Sequence, residues 1–108
     1  MDLTEKVCVP CKGGIPALPC AEAKRLLAQT PAWSLSEACN RINRSFKFDD
    51  FVTTLDFINQ VASIAEEEKH HPEISFGWGH AEIVIYTHKI NGLHENDFIL
   101  AAKIDLLT

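Results

Sequence analysis

Long apolar runs are missing from this 108-residue chain; none approaches the roughly 18 residues that a bilayer-spanning helix needs. Basic charge is also scarce. Ten Lys and Arg stand against fifteen Asp and Glu, a net charge of −5, so the electrostatic footprint of a nucleic-acid binder is absent. No glycine-rich phosphate loop, P-loop or nucleophile elbow occurs, which removes the familiar sequence signatures of phosphate binding and serine-nucleophile chemistry. The opening Met1-Asp2-Leu3-Thr4-Glu5 has neither the basic nor the apolar region of a secretory signal, and the expected location is cytoplasmic. Cysteine is sparing: four residues, at 8, 11, 20 and 39. Cys8-Val9-Pro10-Cys11 has the C-x-x-C spacing of zinc and redox sites, but no second close pair completes a zinc tetrad. Cys20 and Cys39 read as isolated, and the thiols as reduced.

What is present is ordinary globular composition, 46% hydrophobic and 23% charged. The length suits one domain with a small core, for which self-association is a natural source of further burial. Residues 1–18 contain Pro10, Gly13, Gly14 and Pro16 and read as a flexible leader; residues 19–108 read as a single domain. A short amphipathic helix is expected from Pro19 to Gln29 and is stopped by Thr30-Pro31. Trp33–Ala38 and Arg41–Phe48 read as strands, with Ile42, Arg44, Phe46 and Phe48 sharing one face. Asp49 or Asp50 caps a long helix whose stripe runs through Phe51, Leu55, Ile58, Ala62 and Ala65, widened by Val52, Val61 and Ile64, and which ends near His70 or His71. Glu73–Phe76 and His80–His88 read as a hairpin across Gly77-Trp78-Gly79, and Glu95 to Leu106 as a last helix. The order α-β-β-α-β-β-α predicts an α+β two-layer domain: an antiparallel four-stranded sheet with helices on one face.

Chemistry concentrates in Glu66-Glu67-Glu68-Lys69-His70-His71-Pro72-Glu73. Three carboxylates at the electronegative end of a helix break a local electrostatic rule. Adjacent imidazoles are well suited to exchanging protons near neutral pH, and folding brings His88 from the second hairpin strand as a third. Glu66 lies four residues before His70, the spacing that shares a helical face, and is expected to orient that imidazole. The set is a general acid/base constellation without a nucleophile. A plainer alternative remains open: His70 and His71 complement the helix dipole, a gain of roughly 0.3–1 kcal/mol each when charged. Metal ligation is disfavoured, because adjacent histidines diverge and H-E-x-x-H spacing is missing. Glu67, Glu68 and Lys69 read as solvated. Asp97 falls at the third position of the last helix if His94 is its N-cap, where an acidic residue is favourable in any case.

The combination Ala65-Glu66-x-x-x-His70-His71-Pro72-Glu73, Thr87-His88 and Gly92-Leu93-x-x-x-Asp97 resembles the pterin-4a-carbinolamine dehydratase family, over nearly the whole chain. Cys8-Val9-Pro10-Cys11-Lys12-Gly13-Gly14 is similar to the leader of several members. The resemblance implies dehydration of 4a-hydroxytetrahydropterin to quinonoid dihydropterin. It places His70, His71 and His88 as catalytic residues around the pterin, with Glu66, Pro72, Glu73, Thr87 and Asp97 binding it. No cofactor or metal is implied, since the pterin is the substrate. Homodimers or homotetramers are implied, and in some members a homeodomain transcription factor as protein partner, which keeps an interaction module as the second reading. Where many relatives have an acidic residue before the histidine pair and an aromatic after the glutamate, this chain has Lys69 and Ile74. His94 and Asn96 stand at two further variable positions. Which of His70 and His71 is acid and which base stays open.

Overall fold

Alternation builds the sheet. In the computed structural model, which describes residues 2–9 and 13–108, Ala81, Ile83 and Ile85 are buried while Glu82 between them is exposed. They belong to strand β4 (His80–Ile85), which lies between β2 (Ile42–Lys47) and β3 (Glu73–Gly77); β1 (Ser34–Leu35) pairs with the far side of β2, giving the order β1-β2-β4-β3. All neighbours are antiparallel, and the register sets Ile42 against Ile85, Phe46 against Ala81 and Ile74 against Ile83. One apolar row therefore crosses β2, β4 and β3. Three α-helices, α1 (Cys20–Leu27), α2 (Phe51–Glu68) and α3 (Glu95–Asp105), complete the described residues with short 3-10 turns at Leu3–Glu5 and His88–Ile90. The α+β architecture and its element order agree with the sequence reading.

Several boundaries differ for physical reasons. The first strand is only two residues long, because Trp33 turns inward, 3% exposed, and donates its indole N–H to Asp105 at 2.8 Å. Asp105 also receives Arg44 at 2.5 Å, so a single carboxylate at the end of α3 holds both β1 and β2. Helix α2 begins where Asp50 accepts the Thr53 N–H at 2.8 Å, a side-chain N-cap. Its buried face is Thr54, Phe57, Ile58, Val61 and Ala65, which keeps Ile58, Val61 and Ala65 of the expected stripe but replaces Phe51, Leu55 and Ala62 with Thr54 and Phe57. Phe51 and Leu55 are 44% and 36% exposed. The helix is apolar over more than one stripe, and packing on the sheet selects only one of them.

Helix α3 is buried almost all round, from Asn96 to Ala102 and again at Ile104. It is the central element, and the leader packs on it. Leu3 is 1% exposed, the Cys8 N–H donates to Glu68 at 2.8 Å, and Val9 exchanges two hydrogen bonds with the Asn96 amide, at 3.0 and 2.7 Å. An unpacked leader is thus not what residues 2–9 form; Pro10, Cys11 and Lys12, and with them the second half of the C-x-x-C pair, lie outside the described residues. Cys20 and Cys39 are not isolated either. They are joined as a disulfide across 5.3 Å between Cα atoms, tying the start of α1 to the turn before β2. Spacing alone could not pair cysteines 19 residues apart. Gly92 is required by crowding: a Cβ there would come within 2.5 Å of the Ala17 side chain.

Candidate active site

The end of α2 creates the site. Glu68 is its last residue, and Lys69 takes the left-handed conformation, φ 54° and ψ 38°. The Lys69 and His70 N–H groups then donate back to the carbonyls of Glu66 and Ala65, at 3.3 and 3.1 Å. This double closure is a Schellman turn, and it directs His70 inward as the chain leaves the helix. The stop therefore comes at Lys69, three residues ahead of Pro72.

His70 Nε2 and Asp97 Oδ1 are hydrogen-bonded at 2.5 Å; the two side chains are 11% and 0% exposed. The other carboxylate oxygen accepts the Thr87 hydroxyl at 2.8 Å and the His94 backbone N–H at 2.9 Å. Asp97 does this from the first turn of α3, where His94 Nδ1 accepts the Asn96 N–H at 3.1 Å and completes a reciprocal cap. A buried carboxylate with three donors is well compensated. An ionised carboxylate only accepts, so with Asp97 in that form the proton between the pair sits on Nε2 and Nδ1 is the ring's other nitrogen. Among the described residues nothing in the protein bonds to that nitrogen.

His71 points the other way. Its Nε2 lies 2.5 Å from Glu66 Oε2, with both side chains mostly in solvent. The expected Glu66–His70 pairing is thus corrected: the Schellman turn carries His70 across to α3 and leaves Glu66 to its neighbour. β4 ends at Ile85, and Thr87 bridges to Gly92, so His88 starts a 3-10 turn and does not continue the strand. It still leaves the buried face, as parity requires, and stacks on Tyr86 at 4.2 Å between centroids and 18° between planes. The Arg41 guanidinium lies 3.4 Å from the centroid of the same ring. A ring has two faces, so Tyr86 is sandwiched between Arg41 and His88. The Tyr86 hydroxyl donates to Glu73 at 3.2 Å.

A cavity of about 520 Å³ opens over these groups, lined by His70, His71, Thr87, His88, Lys69, Lys89, Glu68, Cys8 and Val9. Of the eight residues singled out from sequence, four line it: His70, His71, Thr87 and His88. Asp97 stands behind His70 and Glu66 beside His71, each one side chain removed; Glu73 is two removed, reaching His88 through Tyr86, and Pro72 is half-buried outside the lining. Sequence reasoning missed Cys8 and Val9, and misread Glu68 as solvated. Its side chain is 5% exposed and accepts Lys103 at 2.8 Å. Burial pushes the Glu68 carboxyl up, but the Lys103 and Cys8 hydrogen bonds outweigh it and hold the group below the usual glutamate range. Burial, with Glu68 beside it, pushes the Cys8 thiol up to about 12. Among the described residues no three His, Cys, Asp or Glu side chains converge as a metal site, and no helix is long and apolar enough to cross a membrane.

The family model described as pterin 4 alpha carbinolamine dehydratase matches residues 16–107. A Methylococcus capsulatus protein provisionally named pterin-4-alpha-carbinolamine dehydratase is 51% identical over 97% of this chain and 92% of its own length. A Halorhodospira halophila protein of the same provisional name is 53% identical over 99% and 98%. Among solved structures, a transcriptional coactivator/pterin dehydratase from Brucella melitensis superposes with a TM-score of 0.79 at 33% identity, over 84% of this chain and 97% of that one. A pterin dehydratase-like protein described as a RuBisCO assembly factor in the alpha-carboxysome gives 0.61 at 25% identity, over 70% and 88%.

Proposed function

Because the chain belongs to the pterin-4-alpha-carbinolamine dehydratase family, we propose that it removes water from 4a-hydroxytetrahydropterin and so returns the quinonoid dihydropterin for reduction. One imidazole gives a proton to the C4a hydroxyl, the C4a–O bond breaks, and water leaves. The N5 electron pair closes the N5=C4a double bond, and a second imidazole takes the N5 proton. The observation that carries this reading is the buried Asp97, which holds His70 by one ring nitrogen at a cavity that His71 and His88 also line. Asp97 offers a countercharge when His70 holds its extra proton. His71, exposed beside Glu66, exchanges protons readily with solvent. No cofactor or metal takes part.

The test is the decay of 4a-hydroxytetrahydropterin followed by absorbance, with purified protein against buffer. Acceleration by the unaltered chain, abolished in the His70→Ala/His71→Ala double variant and reduced by orders of magnitude in His88→Ala, supports the reading. A full rate in the double variant overturns the mechanism, and no acceleration by the unaltered chain overturns the function.

A second reading, as an interaction module, is favoured by one feature: Phe51, Val52 and Leu55 are exposed on α2, with Phe76 and Trp78 exposed on the neighbouring hairpin. Homodimers or homotetramers would cover this surface, and the Brucella neighbour's description as a coactivator raises a protein partner. Sedimentation that gives monomers for the unaltered chain excludes the oligomer. The cytoplasmic setting belongs to the same proposal. A reducing cytoplasm works against the Cys20–Cys39 disulfide, so thiol labelling of freshly isolated protein tests the setting: a bridge found intact there overturns it.

A further inference from the structure

Residues 2–9 lie ahead of the span that matches the family model, yet two of them, Cys8 and Val9, line the cavity. They are held from three sides. The Cys8 N–H donates to Glu68, itself fixed by Lys103; Val9 exchanges both of its backbone groups with the Asn96 amide; and Leu3 and Lys6 anchor the preceding turn, the first by burial and the second by a 2.9 Å ion pair with Glu95. Asn96 is 1% exposed and does not line the cavity, so its side chain serves the leader from below.

From this placement we propose that residues 2–9 are a built wall of the pterin site, with Asn96 as a positioning residue and Glu68, itself in the lining, seating Cys8 and Val9 against the substrate. This rests on the reading given under the proposed function and deepens it. The wall supplies contact and excludes water; it does not move protons. Val9 is apolar, and the Cys8 thiol, raised to about 12, stays protonated at working pH. Its influence therefore falls on substrate binding, while the imidazoles set the chemical step. Asn96, immediately before Asp97, makes α3 serve two purposes: one residue holds the wall, and the next holds the proton carrier.

The test uses the full chain with Asn96→Ala, which releases Val9 and removes nothing that lines the cavity. KM should rise roughly tenfold, on the scale of losing one apolar contact, with kcat within about twofold. Glu68→Ala should act in the same direction, and Glu68→Gln, which keeps an acceptor for the Cys8 N–H, should recover most of the loss. Backbone hydrogen exchange, read by mass spectrometry with 7,8-dihydrobiopterin as probe, supplies the readout that a merely structural role would not move. In the unaltered chain the Cys8 and Val9 amides should slow further when the probe binds, and in Asn96→Ala that protection should be lost. An unchanged KM in an Asn96→Ala protein whose Val9 amide exchanges faster overturns the wall, as does probe binding that leaves residues 8 and 9 unprotected. If the unaltered chain neither turns over nor binds pterin, the proposed function falls and takes this inference with it, an outcome distinct from binding without a change at the leader.

Discussion

Two imidazole–carboxylate pairs occupy successive residues of this chain, and both close to 2.5 Å, yet they are different devices. His70–Asp97 is 11% and 0% exposed; His71–Glu66 is 62% and 77% exposed. In the first, the carboxylate also accepts Thr87 and the His94 backbone, so it cannot turn without breaking other bonds, and the ring it holds is buried. In the second, water and salt compete for both partners, and long side chains lose entropy to meet. Distance says the pairs are equal. Burial and the number of further partners say that only the first can fix a tautomer.

The sharpest way to break that comparison is Asp97→Asn. The amide keeps the shape but can turn a donor toward His70, which would force the proton off Nε2 and misassign the ring. Dehydration should fall by about 10²–10⁴, the range for loss of a positioned proton carrier. Asp97→Ala should add a stability loss of roughly 3 kcal/mol or more, because three donors lose their acceptor together. Steady-state rates and denaturant midpoints on the same two variants separate the effects. An Asp97→Asn enzyme of normal rate would reduce the buried pair to structure alone.

Thr87→Val comes next. It removes one donor from Asp97 and leaves its volume filled, for an expected loss of about 1–2 kcal/mol in chemical denaturation and a smaller fall in rate than either Asp97 variant. Tyr86 tests the third imidazole. Tyr86→Phe keeps the face on which His88 stacks, whereas Tyr86→Leu removes it, so kcat should fall roughly three- to tenfold in the leucine variant only. Equal losses in both would assign the effect to the hydroxyl and its Glu73 contact instead.

What the sequence disclosed follows the same division. Period-two alternation in β2 and β4 and the Asp50 cap depend on near neighbours, and the structure keeps them. His94 as N-cap with Asp97 at the third position was also legible, because a capping box is a local pattern. The pairing of His70 was not. Spacing of four offered Glu66, but a left-handed Lys69 ended the helix first, and nothing about a lysine advertises that conformation. Glu68 was misread for a related reason: Lys103 and the leader that bury it are far away in sequence, at separations of 35 and 60 residues. The α2 stripe held at Ile58, Val61 and Ala65 and failed nearer the N-terminus, because Phe51, Val52 and Leu55 offered a second apolar face and periodicity cannot say which face the sheet will choose.

Glu68 also gives the site an acid limit. Its folded carboxyl is held below the ordinary range, so its contribution is present above the unfolded value and is lost as pH falls through the folded one. Thermal melts below pH 5 should therefore show a steeper acid decline for the unaltered chain than for Glu68→Gln, which has no carboxyl to protonate. Parallel acid limbs would mean that other carboxylates govern the decline.

The smallest expected effect belongs to Glu66→Gln. An exposed partner that water can replace should change dehydration by no more than about twofold and stability hardly at all. Its value lies in the pairing with Asp97→Asn, since both substitutions exchange a carboxylate for an amide 2.5 Å from an imidazole. If contact distance governed function, the two variants would fall together. If burial governs it, they separate by about two orders of magnitude or more, and added salt should leave the Asp97 defect unchanged while erasing whatever small effect Glu66 has. A Glu66→Gln loss as large as that of Asp97→Asn would make His71 the principal proton carrier and turn the present ordering of the two pairs upside down.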